Sequence, residues 1–185
     1  ANPSPLILGE LYAAGIRSFD VASIAEITLL SGYPGVSLHC MHPVKHPEHI
    51  RRAYYEFGVR SFALDSSDEL EKICQVTANA TDLALHVRIA VDNSASRIPL
   101  NDKFGATLAE APDLLMSARL RADRLGVCFH VGSQALRPES FGRDSDRGHT
   151  FLCTEPSGAP CGATAVTFYR TQIPESNLAV APDAA

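Results

Sequence analysis

The stretch Gly126-Val127-Cys128-Phe129-His130-Val131-Gly132-Ser133 decides how the fold is read. A short run of β-branched and aromatic residues marks a buried strand. A histidine, a glycine and a hydroxyl gather where that run ends. In parallel α/β proteins the carboxyl ends of the strands are where ligands bind and chemistry is done. An imidazole there can stack on a planar group, the glycine lets the backbone come close, and the serine hydroxyl can donate to a phosphate. The plainer account is a buried strand that ends in a satisfied histidine.

Upstream of this stretch the apolar pattern alternates. Strand-like runs occupy residues 16–21, 36–40, 59–64, 83–90 and 127–131, and helical spacing occupies 5–14, 23–30, 47–57, 67–76 and 109–125. The helix boundaries carry their own chemistry. Pro5 opens the first helix and Gly15 follows it, the usual asymmetry of helix ends. Ser23 and Glu26 form a capping box. Ser67 is expected to cap the fourth helix, with Asp68 and Glu69 in its first turn opposing the dipole. Residues 91–105 read as a long polar loop.

Strands alternating with helices mean βαβ units and a parallel sheet. The expected class is α/β, a partial (β/α)8 TIM-type barrel with about five βα units. A closed barrel takes roughly 250 residues, so residues 1–141 are expected to form an incomplete barrel domain or an open sheet. From Gly142 the pattern stops, apart from a strand-like run at 163–169. Residues 142–185 are expected to be an irregular tail, disordered or non-native.

The chain has 185 residues, a net charge of −5 and 45% hydrophobic residues, which suits a soluble globular protein. Mild acidity without a basic, aromatic-laced stripe argues against a nucleic-acid partner. No apolar run near 20 residues, the length of a span, points to the membrane. Five cysteines without paired spacing read as reduced thiols in a cytoplasmic protein. His39, Cys40, His42, His46 and His49 match no common zinc spacing, and no metal site is expected. An opening at Ala1 reads as a piece of a longer frame.

Six segments, in order, resemble the pyridoxal-phosphate-dependent ornithine/lysine decarboxylases of the alanine-racemase-like barrel type, especially the bacterial members. They are Phe19-Asp20-Val21-Ala22-Ser23 with Glu26; Met41-His42-Pro43-Val44-Lys45; Phe62-Ala63-Leu64-Asp65-Ser66 with Glu69-Leu70; Val87-Arg88-Ile89-Ala90; Lys103-Phe104-Gly105-Ala106; and Phe129-His130-Val131-Gly132-Ser133. The resemblance implies pyridoxal 5'-phosphate as cofactor, with His130 stacked on its ring and Ser133 at its phosphate. It implies Asp20, Glu26 and Arg88 in the polar shell around it, and Lys103 near the interface of a homodimer. It also implies that the Schiff-base lysine would precede Ala1, so no catalytic lysine is expected here. The glycine-rich phosphate loop, the glutamate at the pyridine nitrogen and the C-terminal β-domain are not found.

Each of these residues also has a simpler account. Asp20 and Arg88 could be a structural ion pair at the barrel rim, and Glu26 only a capping-box carboxylate. Lys45 and Lys103 could replace the missing lysine but read more simply as loop lysines. The function implied is decarboxylation of ornithine or lysine to a diamine in polyamine biosynthesis, in a chain expected to be inactive alone. The alternatives are a non-catalytic decarboxylase-like regulator, and a diaminopimelate decarboxylase or racemase relative.

An incomplete barrel exposes strand edges and apolar faces. The isolated chain is therefore expected to melt below about 60 °C, near the upper end for ordinary domains. Thermal unfolding followed by circular dichroism checks this.

Overall fold

The computed structural model describes residues 4–91, 96–98, 103–130, 133–135 and 165–168. The order is α1 (Pro5–Ala13), β1 (Ser18–Asp20), α2 (Ile24–Leu30), β2 (Ser37–Cys40), α3 (Pro47–Tyr55), β3 (Ser61–Leu64), α4 (Ser67–Val76), β4 (Ala84–Arg88), β5 (Ser96–Ile98), α5 (Ala111–Arg119), β6 (Arg124–Phe129), β7 (Ser133–Ala135) and β8 (Ala165–Phe168). The main sheet has the order β1-β2-β3-β4-β6-β8, and every pairing in it is parallel. Strands are added in chain order and the direction never reverses. A doubly wound sheet reverses at a switch point; an unreversed series is an arc of barrel.

Register fixes the two faces, because successive side chains on a strand alternate. Phe62 and Leu64 of β3, Leu85 and Val87 of β4, and Leu125, Val127 and Phe129 of β6 join the main core. That core also holds Ile27, Ile50, Ile73 and Leu114 from the helices. The alternate residues Ala63 and Cys128, with Met41, form a separate small cluster. β4 is buried along its whole length, as expected of a parallel strand covered on both faces. Polar residues interrupt the second face. Ser18 Oγ shares a hydrogen bond with His39 Nε2 (3.0 Å), and Ser61 Oγ with His86 Nε2 (3.1 Å).

Local chemistry explains the helix starts. Glu26 N–H donates to Ser23 Oγ (3.2 Å), while Glu26 Oε2 accepts from Ala22 N–H (2.8 Å) and from Ser23 Oγ (3.1 Å). This is the reciprocal box read from the sequence. The cap of α4 is Ser66, one residue before the expected Ser67, because its Oγ accepts from Glu69 N–H.

Three further details differ from the sequence reading. The expected helix over 109–125 ends at Arg119, and β6 begins at Arg124. The N–H groups of Asp123 and Arg124 already donate to Leu83 O, which draws the chain into the sheet. The expected loop over 91–105 contains β5, which pairs antiparallel with β7; three residues are too few to show a period. Within the expected tail, Ala165–Phe168 pair with β6, and the remainder of 142–185 lies outside the described residues.

A buried ion pair ties the loop after β2 to its neighbours. Lys45 has 0% of its side chain exposed, and its Nζ lies 2.9 Å from Glu69 Oε1. Nζ also donates to the carbonyls of Ala63 (2.5 Å), His42 (3.0 Å) and Pro43 (3.4 Å). Lys72 pairs with the other oxygen of Glu69. Burial draws the Lys45 ammonium below the usual lysine range, and Glu69 opposes that shift.

Glu69→Ala would leave the Lys45 ammonium buried without a counter-charge, held only by backbone carbonyls. It is expected to cost about 3–5 kcal/mol, read from urea unfolding at constant slope. A second outcome concerns His86, whose Nδ1 is buried without a hydrogen-bond partner among the described residues. Burial, with His39 and Arg124 nearby, lowers its pKa from 6.5 to about 4. Its contribution to stability is thus full above the unfolded value and drains away as pH falls through 4. His86→Gln is expected to flatten the loss of stability between pH 6.5 and 4, measured by unfolding across that range.

Candidate functional site

Five strand ends meet at one rim of the arc. β1 ends in Asp20, β2 leads to Met41, β3 leads to Asp65, β4 ends in Arg88 and β6 leads to His130. Parallel pairing aligns them. Asp20 stands opposite His39, Leu64 opposite Val87, and Arg88 opposite Cys128. Met41, Ala63 and Cys128 form an apolar floor of modest bulk beneath the polar rim.

Asp20 is exposed at the rim and accepts from Met41 N–H (3.3 Å). The protein around its carboxyl pushes its pKa up to about 6, the Met41 bond lowers it and Glu26 raises it further. Because the residue is exposed, solvent screens the energy of that shift. Glu26 is half-buried and occupied by its capping box. Its structural account is therefore on view, and its charge still reaches Asp20.

Arg88 is 8% exposed, and its guanidinium stands over the ring of Phe104, 5.3 Å from the centroid. His130 is half-buried; burial, and then the charge of Arg88, keeps its imidazole below the usual histidine range. It is therefore a neutral flat ring at neutral pH. Cys128 lies within the fields of Arg88, Asp20, Lys45 and Asp65, and burial pushes its thiol up to about 12. A thiol so high is not a nucleophile at neutral pH.

Of the residues singled out in the sequence, Asp20, Arg88 and His130 come together at the rim. Lys103 is exposed in the turn before Phe104. Ser133 lies in β7, opposite Ile98 of β5; its side chain lies outside the described residues. Lys45 is enclosed by carbonyls and Glu69, so its nitrogen is not available as a replacement amine. Asp65, directly after β3, accepts from Gly105 N–H (2.8 Å). That partner lies 40 residues away, and no local pattern announces it.

The histidine-rich segment divides among separate partners. His46 caps α3 through Nδ1, His49 lies 3.7 Å from Cys40 Sγ, and the rings of His42 and His49 stand 5.0 Å apart. Among the described residues no three metal-ligating side chains group together, and no helix is long and apolar enough to cross a membrane. The thiols of Cys40, Cys74 and Cys128 are free and buried.

The donor set fits a flat, anionic heteroaromatic group. A neutral imidazole offers a face to stack on, a buried guanidinium offers positive charge, and the floor beneath is small. Pyridoxal 5'-phosphate has that shape and charge.

Comparison with known proteins agrees. The pyridoxal binding domain model of the pyridoxal-dependent decarboxylases matches residues 1–154. The lysine/ornithine decarboxylase of Selenomonas ruminantium is 39% identical over 144 residues, covering 76% of this chain and 35% of that protein. The ornithine decarboxylase of Mus musculus is 38% identical over 143 residues, covering 76% of this chain and 30% of that protein. The chain thus spans about a third of the length of the curated relatives it matches. The crystal structure of lysine decarboxylase from Selenomonas ruminantium superposes with a TM-score of 0.76 at 33% identity, covering 90% of this chain and 43% of that one. The chain belongs to the pyridoxal-dependent decarboxylases, within their pyridoxal binding domain.

Proposed function

We propose that this chain contributes part of the cofactor site of a decarboxylase acting on ornithine or lysine and releasing a diamine. The observation that carries this is the convergence of Asp20, Arg88 and His130 at the carboxyl rim of an unreversed parallel arc. When bound, pyridoxal 5'-phosphate supplies an electron sink for the carbanion left when carbon dioxide departs.

The protein's part is to hold and orient that group. His130, kept neutral by burial and by Arg88, stacks on the flat ring without adding charge beside it. Arg88, buried at the end of β4, holds a fixed positive charge in the wall of the cleft. Asp20, with its carboxyl raised to about 6, takes up a proton only as pH falls through about 6 and is mainly charged at neutral pH, with Oδ1 accepting from Met41 N–H. Glu26 sets the local field at Asp20 from the start of α2. Ser133, on β7, is assigned to the phosphate. Lys103 is assigned to the surface that meets a second subunit of a homodimer. Residues 1–141 carry these groups as an incomplete barrel domain, to whose sheet β8 adds a strand, and the protein works in the cytoplasm without nucleic acid.

The test is a titration of the purified chain with pyridoxal 5'-phosphate, followed by absorbance. Saturable binding is expected, and His130→Ala is expected to weaken it about tenfold, the scale of one aromatic stacking contact. A wild-type chain that gives no saturable change would sink this reading and favour a non-catalytic relative. Equal affinity in His130→Ala would remove the stacking role.

A further inference from the structure

We propose that the turn Lys103–Ala106 is a latch that fixes the Arg88 guanidinium at the rim, with Phe104 as positioning residue and Asp65 as its catch. What this does for the cofactor rests on the reading above; the latch itself does not.

The turn is fastened at three points. Ala106 N–H donates to Arg88 O (2.8 Å), and Ala90 N–H donates to Ala106 O (2.8 Å). These bonds make a parallel bridge between Ile89 and Ala106, just beyond β4. Gly105 N–H donates to Asp65 Oδ2 (2.8 Å), which reaches over from the end of β3. The turn therefore crosses two strand ends and is tied to both.

Gly105 makes that crossing possible. Its φ is +101°, a region that side chains disfavour. A Cβ at this position would also stand 2.6 Å from Ala90 N. The backbone of the turn lies flat on the β4 extension, and Phe104, one residue earlier, is presented to Arg88. The ring face carries partial negative charge, so a guanidinium over it at 5.3 Å is attracted as well as packed. A connector that only closed the loop would need neither an aromatic face at 104 nor a carboxylate catch from another strand.

Bulk and ring face can be separated by substitution. Phe104→Leu keeps apolar volume and removes the face, whereas Phe104→Tyr keeps both. The first readout is the Arg88 Nε–H resonance of the full chain without cofactor. Its ring-current shift is expected to persist in Phe104→Tyr and to disappear in Phe104→Leu. Asp65→Ala is expected to speed exchange of the Gly105 amide about tenfold, the scale of one lost hydrogen bond. Asp65→Asn, whose amide oxygen still accepts, should restore slow exchange.

The second readout is affinity for pyridoxal 5'-phosphate. Phe104→Leu is expected to weaken it about three- to tenfold, the range of a partly buried cation–π contact, and Phe104→Tyr to leave it nearly unchanged. An Arg88 resonance that ignores Phe104→Leu, or Leu and Tyr variants that behave alike, would overturn the latch. A wild-type chain that binds no cofactor would overturn the functional reading instead, while the Arg88 resonance would still decide the latch.

Discussion

Parallel backbone pairing is the constraint on which the other features rest. A parallel neighbour cannot follow through a tight turn, so each strand must return by way of a covering element before the next begins. The helices that make those returns supply Ile27, Ile50, Ile73 and Leu114 to one side of the sheet. The other side is left for Met41, Ala63, Cys128 and the polar pairs Ser18–His39 and Ser61–His86. Because all strands point the same way, their final residues fall on one rim. Asp20, Arg88 and His130 meet there although they are far apart in sequence.

Loops at such a rim lie outside the main parallel ladder and are fixed by additional contacts. The loop after β2 is held by the Lys45 ammonium, which is shared among three carbonyls and Glu69. The loop before α5 is held by Asp65 and by the bridge at Ile89. In both cases a charged side chain from one βα unit meets backbone from another. Burying such charges gives less stability than an apolar core would, but it leaves few arrangements that satisfy every group.

Much of this was legible in the sequence because the signals were local. Ser23 and Glu26 announce the start of α2, and the Val127–Phe129 run announces β6. The alternation of periods announces a parallel sheet. What stayed hidden depends on distant partners. The end of α5 at Arg119 follows from the pull of Leu83 O on Asp123 and Arg124, which helical spacing does not record. β5 and β7 are each three residues long and exist only as a pair. The polar groups at the rim were found through the family resemblance more than through spacing. The buried state of Lys45 and the reach of Asp65 were not legible at all, since nothing local separates a loop lysine from a caged one.

The chain-order arrangement of strands also bears on how the molecule is assembled. From β1 to β4 each new strand finds its partner in the one made just before it, so loop-closure entropy stays small at each of those steps. A chain emerging from the ribosome can dock β2 on β1, β3 on β2 and β4 on β3 without waiting for distant sequence. Growth of this kind is one-sided. Each newly docked strand presents an unpaired edge until its successor is placed, as β4 does until β6 docks on it. For a nascent chain that moving edge is a recurring template for unwanted pairing, and it is where a chaperone would have most to protect.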